Sequence, residues 1–249
     1  MKVAALLVAL SAAQPVLQSQ DPNVFVDNRR FSADSMPWAA GERLEFRIKL
    51  GLFTVGRGAL EVIGVETLRG AHVWHALFTI RGGALGWDLV DTMETWFGTA
   101  DMATRRFIHN TDENGRLRNR SWEIFPERGN YTNQNGELFE TVESPLDDAS
   151  FFFYARTLPL EVGRTYTIPR YFVKDRNPVQ IRVLQKQTIN VRAGRFPCIV
   201  VQPIFRSRGL FGQGGSALIW FSDDAARIPV RIRGSMAIGT LDMSLESRR

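Results

Sequence analysis

Residues 43–50 read RLEFRIKL, and this stretch decides the fold class. Its apolar residues Leu44, Phe46 and Ile48 alternate with charged neighbours. Successive side chains along a β-strand point to opposite faces, so this alternation is typical of a strand with one buried face. After one glycine an apolar stretch resumes at 53–63, which we interpret as a second strand.

Short stretches of the same kind recur to the end of the chain, separated by turn-forming pairs such as Asn135-Gly136. Residues 147–158 (DDASFFFYARTL) differ, because they contain neither glycine nor proline and begin with residues that cap helices. We expect Asp147 or Asp148 to cap a short helix there. The sequence therefore predicts one mainly β domain over 42–249. We expect a large curved antiparallel sheet that forms an open or closed barrel-like cradle, with one short helix.

The first twenty residues have the order of a secretory signal. Lys2 precedes the apolar run Val3–Leu10, and the small residues Ser11-Ala12-Ala13 follow it. We therefore predict a signal peptide at 1–20, an extended arm at 21–41 and a periplasmic location. No later stretch is apolar over the roughly 20 residues that a membrane-spanning helix needs. We expect no transmembrane segment in the mature chain.

The composition is that of an ordinary globular protein, with 44% hydrophobic and 23% charged residues. The formal net charge of +5 comes from arginines that are spread along the chain. A nucleic-acid binder typically gathers its basic residues in one stripe or tail, so we expect no nucleic-acid partner. The single cysteine, Cys198, excludes an intramolecular disulfide.

The sequence predicts neither a metal site nor a cofactor. His72 and His75 are three residues apart on a predicted strand, so they face opposite sides of the sheet. Two glycine-rich runs, RGGALGWD at 81–88 and RGLFGQGGS at 208–216, lack the ending of a phosphate-binding loop. These runs are either hairpin connections or an apolar rim around the mouth of a ligand site.

One carboxylate, Asp91, stands on an apolar face of its predicted strand. It shares that face with Leu89, Met93 and Phe97. A carboxylate in such surroundings must be paired or have a shifted pKa. Asp91 therefore either forms a structural ion pair with an arginine or faces a ligand.

Asp223 and Asp224 stand side by side between two predicted strands, in the run LIWFSDDAARIPVRI at 218–232. Adjacent residues on a strand point apart, whereas Ser and Asp side chains readily bond the backbone N–H groups of a turn. We interpret the pair as the corner of a hairpin, with one aspartate held by Arg227.

The end of the chain resembles a known family. The run IWFSDDAARIPVRI at 219–232, followed by Gly239 and a last strand, is similar to the closing motif of the bacterial family called domain of unknown function 3108. GERLEFRIKLGLFTVGRGALEV at 41–62 and AGRFPCIVV at 193–201 also match the family in order. Between them, Asp147, Ser150, Tyr154 and Arg156 match the helix motif D-x-x-S-x-x-x-Y-x-R.

The resemblance covers nearly all of the predicted mature chain. It implies an exported, envelope-associated protein of mostly β structure, with no assigned activity and no catalytic residue to carry over. It also implies a hairpin corner at Asp223 and Asp224. The chain departs from the family pattern at Phe46, at the doubled Asp147-Asp148 and at the apolar Phe151–Phe153.

Tryptophans on a curved sheet are the main hint of a ligand. Trp74, Trp87, Trp96 and Trp220 either belong to the core or line a binding surface. Our leading hypothesis is a non-enzymatic periplasmic protein that binds an apolar or amphipathic envelope component, such as a lipid, or a partner protein. The candidate ligand-binding residues are Asp91, Trp96, Asp147, Tyr154, Arg156, Trp220, Asp223 and Arg227.

Two alternatives stay open on the sequence alone. The first is an enzyme that acts on envelope glycans, with Asp91, Asp147 or Asp223 as general acid or base beside Tyr154 and Arg156. The second is a structural or assembly role in the cell envelope, in which strand edges dock another chain.

Overall fold

The computed structural model describes residues 29–84, 86–205, 217–236 and 239–249. The predicted signal peptide at 1–20 and the glycine-rich run at 208–216 lie outside the described residues, as do the first part of the predicted arm and the side chain of Trp87.

Fourteen antiparallel strands form a single sheet in the described part of the chain. The short helix α1 spans Ser150–Arg156, and 3₁₀ helices lie at Ala33–Ser35, Pro126–Arg128 and Lys174–Arg176. The strands are β1 (Arg43–Leu50), β2 (Phe53–Leu68), β3 (Ala71–Ala84), β4 (Trp87–Gly98), β5 (Thr104–Glu113), β6 (Arg116–Phe125), β7 (Asn130–Asn133), β8 (Leu138–Glu140), β9 (Thr165–Ile168), β10 (Val179–Val191), β11 (Gly194–Ile204), β12 (Leu218–Ser222), β13 (Pro229–Met236) and β14 (Gly239–Arg248).

The sheet order is β8-β7-β6-β5-β4-β3-β2-β1-β14-β13-β12-β11-β10-β9. Two meanders therefore meet in the middle, where β1 pairs with β14. The edge strands β8 and β9 do not pair with each other within the described ranges, so the predicted mainly β cradle is confirmed in its open form. The segment after β8 is instead joined to the segment after β9, since the Phe172 N–H donates to the carbonyl of Leu146 at 2.9 Å.

The concave face of the sheet holds the core, and α1 packs into it. Phe153 contacts Phe97 of β4 and Trp38, with ring centroids 5.3 and 5.1 Å apart. On β1, in the middle of the sheet, Leu44, Phe46 and Ile48 are buried, as their alternation predicts. The helix thus takes the place of a second sheet in covering the apolar face.

The predicted extended arm differs from the structure in its described part. It contains the 3₁₀ helix at Ala33–Ser35, and Trp38 inserts into the core. An indole of this size buries a large apolar area, so one tryptophan is enough to fix the segment against the sheet.

The strand ends define two rims of the cradle. One end is formed by the turns at 51–52 and 114–115 and by the start of β14 at Gly239, and we call this end the hairpin rim. The opposite rim carries the turns at 69–70, 192–193 and 223–228.

Candidate functional site

An apolar cavity of about 440 Å³ lies on the concave face, beside α1. Its walls come from both meanders of the sheet, and most of them lie toward the hairpin-rim ends of their strands. They include Phe78, Ile80 and Met93 on one side, Phe205, Ile232, Leu241 and Met243 on the other, and Phe151, Phe152 and Ala155 of α1. A concave apolar volume of this size is typical of a site for a small organic ligand.

Three polar side chains interrupt the apolar wall of the cavity: His109, Asp148 and Arg176. Asp148 Oδ1 accepts a hydrogen bond from the Tyr171 hydroxyl at 2.9 Å. Arg176 Nη1 donates to the same hydroxyl at 3.2 Å. Burial raises the pKa of Asp148, and the tyrosine hydrogen bond and the arginine charge oppose that rise. Burial also raises the pKa of Tyr171 well above its ordinary value.

The 3₁₀ helix that carries Arg176 is fixed by the residue after it. Asn177 Oδ1 accepts the backbone N–H of Tyr171 at 2.8 Å, and its Nδ2 donates to the Tyr171 carbonyl at 2.7 Å. Both polar backbone groups of Tyr171 are thereby tied to one side chain. This clamp holds Tyr171 and Arg176 in a defined position relative to Asp148.

His109 connects the cavity to a second polar group. Its Nε2 lies 3.0 Å from Asp91 Oδ1, and Arg120 Nη2 donates to its Nδ1 at 2.9 Å. Because a guanidinium can only donate, Nδ1 accepts and the Nε2–H donates to Asp91. A neutral imidazole satisfies both bonds. Asp91 thus has a histidine as its partner, where the sequence favoured an arginine.

Asp147, in contrast, is used entirely by the fold. Its Oδ1 accepts the backbone N–H groups of Ala149 and Ser150 at 2.7 and 3.0 Å. Its Oδ2 accepts the hydroxyls of Thr95 and Thr104 at 2.6 and 2.7 Å. Burial raises its pKa, and these four bonds oppose the rise. The predicted helix cap is confirmed, and it also ties α1 to β4 and β5.

Arg156, Asp223 and Arg227 come together at the opposite rim, where they line a polar groove of about 620 Å³. The Arg156 guanidinium donates to both carboxylate oxygens of Glu42 at 2.6 and 2.9 Å. It also donates to the carbonyls of Pro37 and Ala226. The bonds of this buried arginine are therefore directed at its own chain, and they join α1, the N-terminal segment and the β12–β13 corner.

The aspartate pair forms the β12–β13 corner, as predicted. Asp224 Oδ1 accepts the Ser222 hydroxyl at 2.7 Å and the backbone N–H groups of Ala226 and Arg227 at 3.1 Å. Asp223 lies 2.7 Å from Lys186 Nζ and 3.8 Å from Arg227 Nη1. The corner is thus a hydrogen-bonded turn with its charges paired.

Trp96 and Trp220 lie on the convex face of the sheet, away from the cavity. Trp96 stacks on His75 at 4.3 Å, and its Nε1 donates to Glu66 at 3.1 Å. Trp220 Nε1 donates to Gln187 at 2.9 Å. The sequence could not separate these convex tryptophans from concave ones without the register.

Tyr154 of α1 is buried on the concave side, with the Arg170 guanidinium 4.8 Å from its ring centroid. Of the eight predicted ligand residues, none lines the apolar cavity directly; Asp91 reaches it through His109 and Asp147 stands next to Asp148. Sequence reasoning missed His109, Asp148 and Arg176. The signal for one of them was present, because the doubled aspartate departs from the family pattern.

Comparison with known proteins decides the family. A sequence model described as "Protein of unknown function (DUF3108)" matches residues 45–246. The chain belongs to the DUF3108 family. The resemblance in the opening, helix and closing motifs is thereby confirmed, and the aspartate corner and the α1 cap are parts of this DUF3108 chain's fold. A comparison with curated proteins gave no match.

Three solved structures align with most of this DUF3108 chain at low sequence identity. A β-barrel-like protein of domain of unknown function DUF1849 from Brucella abortus is 11% identical, with a TM-score of 0.53. The alignment covers 84% of this chain and 97% of that one, and it shows a shared fold. A candidate lipoprotein from Parabacteroides distasonis is 12% identical, with a TM-score of 0.35 and coverage of 86% and 99%. A candidate exported protein from Bacteroides fragilis is 11% identical, with a TM-score of 0.34 and coverage of 86% and 98%.

No three His, Cys, Asp or Glu side chains in the described ranges of this DUF3108 protein come together as the ligands of a metal ion. In the same ranges no helix has both the length and the apolar character that crossing a membrane requires.

Proposed function

We propose that this protein is an exported, non-enzymatic carrier that holds an amphipathic molecule of the cell envelope in the concave cavity. The apolar part of the ligand lies against Phe78, Phe152 and Met243, and its polar end lies against Asp148, Arg176 and His109. The cavity of about 440 Å³ with polar groups in one part of its wall is the observation that carries the proposal.

The polar groups favour an amphiphile over a purely apolar ligand. Arg176 supplies a cation and Asp148 a carboxyl group, both within reach of a ligand in the cavity. Buried polar groups that a ligand cannot pair lower its affinity, so a hydrocarbon alone is a poor fit. A molecule with an alkyl or aromatic body and a polar head that both accepts and donates hydrogen bonds satisfies the lining.

The positions of the carboxylates give the glycan-enzyme alternative little support. Asp147 is buried with its oxygens bonded to the fold, and Asp223 is paired with Lys186 at the opposite rim. Most glycoside hydrolases use two carboxyl groups that flank the same glycosidic bond. Asp91, Asp147 and Asp223 are not arranged in that way.

The proposal is tested with two fluorescent probes, the anionic amphiphile 1-anilinonaphthalene-8-sulfonate and the neutral N-phenyl-1-naphthylamine. Ile80→Trp places a bulky indole in the cavity, and Leu77→Trp adds the same bulk on the opposite face of β3 as a matched control. We expect Ile80→Trp to weaken probe binding by about tenfold or more, as blocking a small apolar site should. Leu77→Trp should bind as the wild type does. Equal binding by all three proteins would show that the probes do not use the cavity.

The interaction of Arg176 with the polar head of the ligand is tested with a separate variant. Arg176→Gln removes the cation at the cavity wall and keeps a hydrogen-bond donor. It should weaken the sulfonate probe more than the neutral probe, because only the sulfonate gains from the charge. Equal losses for both probes would contradict a head-group role for Arg176.

A partner protein is a second candidate, and one observation favours it. The edge strand β8 is exposed along its length and presents Leu138 and Phe139 to solvent. An exposed edge strand is a template for pairing with another chain. Photo-crosslinking from position 138 in the periplasm should then give one defined partner band, which crosslinking from position 162 does not give. A smear or no band at position 138 would remove this candidate.

A further inference from the structure

The tip of the β1–β2 hairpin exposes two adjacent large apolar side chains. Leu52 is 91% exposed and Phe53 is 78% exposed, the highest values among the large apolar residues that the structure describes. Single exposed apolar residues are common, but an adjacent pair at the end of a hairpin is suited to insertion into an apolar layer.

A row of arginines crosses the convex face behind this tip. Arg57 of β2 is directly opposite Arg47 of β1 and Arg81 of β3. Arg47 is paired with Glu246 at 2.5 Å. The side chains of Arg57 and Arg81 make neither a hydrogen bond nor an ion pair with any residue in the described ranges. Like charges that face each other across strands are unfavourable, so this pair is a place where an external anion stabilises the protein.

Arg57 and Arg81 line a groove on the convex face. The groove of about 490 Å³ also contains Arg43, Thr79 and Ala59. Its carboxylates are already engaged: Glu61 and Glu45 bond Arg43, and Glu246 bonds Arg47. The guanidinium groups of this groove that have no carboxylate partner within the described ranges are those of Arg57 and Arg81.

The spacing between tip and arginines matches a bilayer surface. Arg57 is four positions beyond Phe53, which is about 13 Å along a strand. An inserted apolar group lies about 5–10 Å below the head-group boundary. The flexible arginine side chains then reach the level of the lipid phosphates. The hairpin rim is also the side to which the cavity walls extend, since Leu241 of the cavity pairs with Leu50 of β1.

We propose that the Leu52–Phe53 tip and the Arg57–Arg81 pair together dock the hairpin rim on the surface of an anionic lipid bilayer. The tip enters the outer part of the acyl layer, and the two guanidinium groups bond lipid phosphates. Docking in this way brings the cavity close to the membrane. The inference does not depend on the cavity being filled.

The test uses the mature protein and vesicles of phosphatidylethanolamine and phosphatidylglycerol, with phosphatidylcholine vesicles for comparison. We expect co-sedimentation with the anionic vesicles that weakens as NaCl is raised, because salt screens the arginine–phosphate contacts. The variants Leu52→Ser with Phe53→Ser, and Arg57→Glu with Arg81→Glu, should each lower the partition coefficient by about tenfold or more. The matched control, Val162→Ser with Arg164→Glu, changes an exposed apolar and a basic residue before β9 and should bind as the wild type does.

Insertion of the tip is measured separately. Leu52→Cys, labelled with an environment-sensitive nitrobenzoxadiazole, should shift its emission to the blue on anionic vesicles, whereas the same label at Val162→Cys should not. The native Cys198 is buried and does not take up the label.

Several results would overturn the inference. The first is a wild type that does not bind anionic vesicles at low salt. The second is unchanged vesicle binding by both double variants. The third is a label at position 52 whose emission shows that it stays in water. Binding of inorganic phosphate without vesicle binding would assign the arginines to a free anion and overturn membrane docking. The cavity variant Ile80→Trp should still bind vesicles although it loses probe binding. A failure of the proposed ligand site can therefore be distinguished from a failure of membrane docking.

Discussion

The carboxylate of Asp148 accepts a hydrogen bond of 2.9 Å from the hydroxyl of Tyr171, at the wall of the apolar cavity. Its neighbour Asp147 is buried and bonded to Thr95, Thr104, Ala149 and Ser150. Two adjacent aspartates therefore have different tasks. Asp147 holds α1 in the sheet, and Asp148 presents a polar group to the cavity.

Replacing Asp147 should destabilise the fold strongly. Asp147→Ala leaves two backbone N–H groups and two hydroxyls without their acceptor, and we expect a loss of about 3 kcal/mol or more in the free energy of unfolding. Urea unfolding followed by circular dichroism measures it. Asp34→Ala, at an exposed position, should change stability by less than about 0.5 kcal/mol. A loss of the same small size at Asp147 would contradict its role as a cap.

The raised pKa of Asp148 predicts a pH dependence with a definite sign. A carboxyl whose pKa is higher in the folded than in the unfolded protein binds more protons when folded, in the interval between the two pKa values. Its contribution to the free energy of unfolding is therefore largest at low pH and decreases as the pH rises through that interval. Asp148→Asn does not titrate.

The stability of Asp148→Asn relative to the wild type should accordingly increase with pH and level off above the folded-state pKa. Unfolding in urea at a series of pH values from 4 to 8 measures the difference, and the buried Asp147 cancels because both proteins contain it. Two stability curves that run parallel across this range would contradict the assignment.

Arg156 should not be replaceable by lysine. Its guanidinium reaches Glu42, Pro37 and Ala226 at once, and an ammonium group cannot make that planar set of bonds. We expect Arg156→Lys to lose about 2 kcal/mol or more and Arg156→Ala about 3–5 kcal/mol of unfolding free energy. Arg164→Lys, in an exposed pair with Glu161, should lose less than about 0.5 kcal/mol. If thermal or urea unfolding gave Arg156→Lys as small a loss of stability as Arg164→Lys, the hydrogen bonds of Arg156 with Glu42, Pro37 and Ala226 would be dispensable.

Cys198 should be unreactive in the folded protein. Its side chain is buried, and burial, with a smaller effect from Asp224 and Asp223, raises the pKa of its thiol to about 12. The thiolate is the reactive species, so the thiol reagent 5,5′-dithiobis(2-nitrobenzoate) should not react at pH 8 until guanidinium unfolds the chain. Leu52→Cys, at the exposed hairpin tip, supplies the rapidly reacting control. Prompt reaction of the native wild type would place Cys198 in a more open site than the structure gives it.

The sequence predicts the local features of this protein well. The alternation in RLEFRIKL, the cap at Asp147 and the corner at Asp224 depend on residues that are close along the chain, and the structure confirms each of them. The resemblance to the family also concerns such local motifs.

The site is harder to predict, because its members are distant in sequence. His109 meets Asp91 through the β4–β5 register, and Arg176 and Asp148 meet at the hydroxyl of Tyr171. Whether a tryptophan is concave or convex changes with a shift of one residue, which is why Trp96 and Trp220 could not be placed. The departures from the family pattern were the useful signal, since Asp148, Phe151 and Phe152 all line the cavity.

The central claim is that the concave cavity holds an amphipathic envelope molecule, and native mass spectrometry tests it most directly. The mature wild type and Ile80→Trp are purified gently from a periplasmic extract, and each is compared with the same sample after denaturation. The account predicts that the wild type carries an extra mass that denaturation releases as a lipid-like amphiphile, and that Ile80→Trp carries much less of it. A wild type that arrives at its bare polypeptide mass, or an adduct that Ile80→Trp retains in full, would contradict the account.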